Sequence, residues 1–141
     1  MAAASGLKPF TGRLALAVRP QRFWRALTAQ GHPRATYQRA IERGNLLVAE
    51  ATLRELGRPT LSELLELTIL IAFKDPRRHP RVAARWLARY LLEHDQATIE
   101  EAAFVVACLN GLAGPEHEHA ATTLRDMAKK ASHSRRARGI A

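Results

Sequence analysis

Two stretches of this sequence declare helix starts before anything else about it is considered. Thr60-Leu61-Ser62-Glu63 and Thr98-Ile99-Glu100-Glu101 each set a threonine three residues ahead of a glutamate. At that spacing the hydroxyl can accept from an N–H in the first turn of a helix, while the carboxylate reaches back to the threonine N–H. Each capping box opens onto an apolar run. The first leads through Leu64, Leu67, Ile69, Leu70 and Ile71 to about Phe73; the second passes Phe104, Val105, Val106, Cys108, Leu109 and Leu112. Both runs are apolar nearly all round, which predicts two central helices rather than surface ones.

The rest of the chain keeps the same period. Pro33 suits the first position of a helix, where its missing N–H costs nothing. From Arg34 the apolar positions Tyr37, Ala40, Ile41, Leu47, Val48 and Ala51 predict one long amphipathic helix, closed by Gly57, with Gly44-Asn45 as the place where it could kink or divide. Further helices are expected from His79-Pro80 to about His94, and from Glu116 to Lys130. Gln21–Gln30 is a short amphipathic segment carrying Phe23, Trp24 and Leu27. No β-type alternation of useful length occurs, so the predicted fold class is all-α.

A chain of 141 residues has room for one hydrophobic core. The expected organisation is a flexible basic arm over 1–20, a single helical domain over 21–131 and a disordered basic tail over 132–141. Within the domain, a compact bundle of five to six helices is the favoured arrangement. The two capping boxes lie 38 residues apart and His-Pro-Arg recurs at 32–34 and 79–81. A short TPR-like array of helical hairpins, an α-solenoid, is therefore the alternative.

Charge is distributed unevenly. The chain carries 22 Lys and Arg against 13 Asp and Glu, a formal net charge of +9. Residues 1–41 hold seven cations and no acid, residues 125–141 six cations and one acid, and the stretch between them nine cations and twelve acids. Basic ends on a near-neutral body point toward a polyanion or an acidic protein. Arginine outnumbers lysine 18 to 4, however, a bias that GC-rich coding produces unaided. Charge alone picks no partner.

The candidate polyanion-binding set is Lys74, Arg77 and Arg78, then Arg81, Arg85 and Arg89 on one helical stripe, together with Arg135, Arg136 and Arg138. Guanidinium groups at that spacing could follow a phosphate backbone while Trp86 and Tyr90 pack inward. The competing reading is a solvated face, or pairing of the stripe with Glu63 and Glu66. A helix-turn-helix over Leu53–Leu67 is rejected, because its second helix would present Glu63 and Glu66, and no cation, to a major groove. The pair 61–73 and 80–93 has the right charge but a long turn.

Chemistry-bearing motifs are scarce. Neighbours two apart on a helix point about 200° away from each other, so His117 and His119 do not face one ion, and His94-Asp95 is too small a cluster. No metal and no cofactor are expected. Cys108, the sole cysteine, excludes an intramolecular disulfide and reads as a buried, inert thiol. No glycine-flanked serine elbow or glycine-rich phosphate loop occurs. Leu64 to Phe73 is interrupted by Glu66 and falls short of the ~20 residues of a membrane span; Leu14–Val18 is too short for a secretory apolar core. The expected protein is cytoplasmic, bacterial and non-enzymatic. It is a helical binding or adaptor module for a protein partner, with DNA or RNA binding as the alternative.

Overall fold

The computed structural model describes residues 32–139, and the expected N-terminal arm and the segment 21–30 lie outside them. Among the described residues six helices follow one another: α1 (Pro33–Glu42), α2 (Leu46–Glu55), α3 (Leu61–Lys74), α4 (His79–Glu93), α5 (Ile99–Gly111) and α6 (His117–Gly139). Consecutive helices pair as three hairpins. Helix α6 returns to pack on α3 and α4, and α3 also touches α1 and α2. This closure makes a compact all-α bundle.

The expected long helix from Arg34 to Leu56 is two helices. Gly44 adopts φ +66°, a left-handed conformation that side chains resist. The N–H of Gly44 bonds back to the Ile41 carbonyl and that of Asn45 to the Ala40 carbonyl, so the turn satisfies two of the carbonyls that end α1. Asn45 then caps α2, its side chain accepting from the Val48 N–H at 3.2 Å. The apolar period survives the break because both helices pack on the same side of α3.

The first capping box forms in full. Thr60 Oγ1 accepts from the Glu63 N–H at 3.1 Å, and the Thr60 N–H donates to Glu63 Oε2 at 2.7 Å. Burial pushes the Glu63 pKa up, but the Thr60 N–H and the Arg34 guanidinium outweigh it and hold the carboxylate below its usual range. The second box is half made. Thr98 accepts from the Glu101 N–H, but the Glu101 carboxylate turns to Tyr90 instead.

Two cores share α3. The larger gathers Leu61 and Leu65 of α3, Ala83, Trp86 and Tyr90 of α4, Val105 and Leu109 of α5, and Ala120, Ala121, Leu124, Ala128 and Ala131 of α6. The smaller joins Tyr37, Ala40 and Ala49 to Leu67 and Ile71 on the other side of α3. This is why α3 is apolar nearly all round. Each fully buried Leu or Ile contributes roughly 1.5–3 kcal/mol. Two polar groups in these layers find partners: Trp86 donates Nε1–H to the Leu61 carbonyl at 3.0 Å, and Thr68 donates to the Leu64 carbonyl at 2.8 Å.

Helix α6 does not stop at Lys130, and residues 132–139 are helical rather than a disordered tail. Ala131 is buried one turn beyond Ala128, so the inward stripe continues. Arg135 and Arg138 then pair with Glu93 and Asp95 at the end of α4. Cations in the last turn also suit the negative end of the helix dipole.

Candidate functional site

The second apolar helix is not central. Helix α5 buries Val105 and Leu109 and packs Cys108 partly against the core, but turns other apolar side chains outward, with Ile99 85% and Phe104 53% exposed. Ala103 and Ala107 share that side. The sequence pattern showed no polar face on α5, and the structure leaves a bare apolar one. Cys108 is half-buried rather than fully buried; its desolvation raises the thiol pKa, which keeps it a neutral, weak nucleophile.

A concave surface lies elsewhere, between α2 and α4 with α3 beneath. This groove, about 340 Å³, is floored by Leu53, Leu64, Leu67, Ile71, Val82 and Trp86. Its rim carries Arg54 from α2 and Arg78 and Arg85 from α4 and its start, with Arg89 at one end. The single rim acid, Glu50, is taken by Arg78, which also stands 3.8 Å from Asp75. A basic rim over an apolar floor favours an amphipathic segment of opposite charge.

The expected basic set is thus divided. Arg78, Arg81 and Arg85 stay together on the exposed side of α4, and Arg78 is tied to Glu50. Arg89 leaves the stripe: its Nε sits 2.7 Å from Glu93 and its Nη2 donates to the Pro59 carbonyl at 3.0 Å. Lys74 runs its side chain over the Gly44 turn. Arg77 is exposed beyond the end of α3. Arg135 shares Glu93 with Arg89, at 3.3 Å, and Arg138 pairs with Asp95. Glu63 and Glu66 do not serve the stripe; they pair with Arg34 and Arg125. Lys74, Arg77, Arg81, Arg85 and Arg136 make no ion pair among the described residues. Arg54 joined the groove only through the fold, since the α1–α2 break decides where α2 presents it.

A second concavity gathers titratable groups. Tyr90 donates to Glu101 at 2.6 Å, and His94 Nε2 lies 3.3 Å from the same carboxylate oxygen, with Asp126, Lys129 and His133 along the same groove. Burial and the adjacent carboxylate push the Tyr90 hydroxyl well above its ordinary range, so it acts as a fixed donor. The trio links α4 to α5. His117 rests against Phe73 and the Gly114 carbonyl. Among the described residues no three His, Cys, Asp or Glu side chains stand together as a metal-binding group. Nor is any helix among them long and apolar enough to cross a membrane.

No protein-family model, no curated protein and no solved structure matches this chain.

Proposed function

We propose that this chain is a non-enzymatic helical binding module whose protein partner presents an acidic amphipathic helix to the groove between α2 and α4. The observation that carries this reading is the pairing of an apolar floor with a rim of four arginines, Arg54, Arg78, Arg85 and Arg89, against one acid, Glu50, that Arg78 already neutralises. Apolar contact supplies the affinity of such a helix-in-groove interface, and charge sets orientation and excludes partners of the wrong sign. We further propose a cytoplasmic, bacterial protein; a single cysteine, which can form no intramolecular disulfide, suits a reducing compartment.

The test uses two designed amphipathic helical peptides with the same leucine face, one flanked by glutamates and one by lysines. The glutamate peptide should bind at least about tenfold more tightly than the lysine peptide. Charge reversal at Arg54 and Arg85 should reverse that preference. Equal binding of both peptides, or chemical-shift changes that avoid Leu53, Leu64 and Val82, would sink the proposal.

Nucleic-acid binding is the second reading. It draws on one observation: Arg89, expected on the α4 stripe, and Arg135 and Arg136, expected in a tail, line the same cleft. A polyanion contact there should show a log K that falls linearly with log salt, at a slope of about −0.9 per phosphate neutralised on duplex DNA. A flat salt dependence would remove it.

A further inference from the structure

We infer that Arg58, Arg89, Arg135 and Arg136 form a discrete binding site for a phosphate-bearing anion. The site meets the proposed peptide groove only at Arg89, which lines an end of both, and only its oligonucleotide arm depends on the nucleic-acid reading. The four guanidinium groups come from three places: the loop between α2 and α3, the end of α4, and the last turns of α6. They line one cleft of about 500 Å³ over the start of α3. Chain positions from 58 to 136 are brought together by the fold, so their convergence owes nothing to local sequence bias.

The charge there is unbalanced. Glu93 is the one carboxylate in the cleft, and it is already shared between Arg89 at 2.7 Å and Arg135 at 3.3 Å. Arg58 and Arg136 have no ion-pair partner among the described residues. Four cations around one acid repel one another unless a further anion enters. Arg89 is held at two points, by Glu93 and by the Pro59 carbonyl, so its planar fork is already oriented. Beneath the arginines the first turn of α3 adds its positive dipole end, with the Thr60 and Glu63 N–H groups already taken by the capping box. Several forks lining one cleft suit a tetrahedral group with several charged oxygens better than a lone carboxylate.

Titration calorimetry on the full chain would use inorganic tripolyphosphate and a short oligothymidylate as probes, at about 50 mM salt. At least one probe should bind, and the Arg58→Gln/Arg136→Gln variant should weaken it by about tenfold or more. Both replaced side chains are exposed and unpaired, so the variant should keep its helical circular dichroism. The control variant Arg39→Gln/Arg43→Gln, which removes as much charge from exposed positions on α1 and at its end, should stay within about twofold. Tripolyphosphate binding without oligothymidylate binding would assign the site to a small phosphate compound and end the nucleic-acid reading. Preference for the oligothymidylate would assign it to a phosphodiester backbone. If neither probe binds, or the control variant loses as much affinity as the cleft variant, the proposal is overturned.

Discussion

Arg125 and Glu66, fifty-nine positions apart, meet in a two-pronged contact: Nε lies 2.6 Å from one carboxylate oxygen and Nη2 2.9 Å from the other. This joins α6 to α3 where the bundle closes. Both side chains keep partial access to water, so the expected contribution is only about 1 kcal/mol. Glu66→Gln and Arg125→Met should each lower the free energy of unfolding by about that much, and the double variant by little more. Fully additive losses in urea denaturation would show that the two residues act separately.

The break between α1 and α2 makes a sharper prediction. Gly44 and Gly57 both have positive φ, +66° and +69°, so alanine should cost about 1 kcal/mol at either. At Gly44 an added Cβ would also meet Lys74 Cε at 3.3 Å, whereas at Gly57 it would meet nothing within 4 Å. Gly44→Ala should therefore destabilise at least as much as Gly57→Ala, and Gly44→Ala/Lys74→Ala should recover part of the difference. A neutral Gly44→Ala would mean that the long, continuous helix expected from the periodicity is the form the chain adopts.

His79 is buried at the start of α4 with Nε2 unpartnered, and burial lowers its pKa from 6.5. A proton therefore binds the unfolded chain before it binds the folded one. Stability attributable to this group is complete above pH 6.5 and drains away as the pH falls below that value, until the folded-state pKa is passed. His79→Met has similar bulk and no proton to take up. The stability difference between wild type and His79→Met should shift in favour of the variant between neutral and mildly acidic pH. A pH-independent difference would show that His79 is not desolvated.

Two positions on α5 should behave oppositely. Leu109 faces the larger core, so Leu109→Ala should cost roughly 2–5 kcal/mol. Ile99 is almost bare, and Ile99→Ser should change stability by no more than about 0.5 kcal/mol while improving solubility. A large loss at Ile99 in thermal melts would mean that its surface is covered in solution.

Much of the fold was legible because its signals are local. Capping boxes, Gly57 and the proline starts act within a few residues, and they placed α3, α4 and α5 to within a turn. What escaped needed partners distant in sequence. Whether Gly44 bends or breaks a helix depends on α3, against which both halves pack. The helical state of 132–139 depends on Glu93 and Asp95, which the basic composition of that segment could not reveal. An all-apolar helix looks central on its own, yet α5 lies at the edge because four other helices already enclose α3. The arginine positions were readable, but their grouping was not: Arg89 left the stripe for Arg135 and Arg136 when it turned toward Glu93.

Helix α3 belongs to both cores, and this has a consequence for how the molecule opens. The α1–α2 hairpin is held by a small apolar set that depends on Leu67 and Ile71 of α3. The larger core does not depend on the hairpin. Backbone amides in α1 and α2 should therefore exchange with deuterium as one group, at a lower free energy than those of α3, which open only when the whole bundle unfolds. The groove has one wall on the hairpin and the other on the bundle. A segment seated there would bolt the two together and slow exchange across α1 and α2, giving occupancy a readout that needs no change in the rest of the structure.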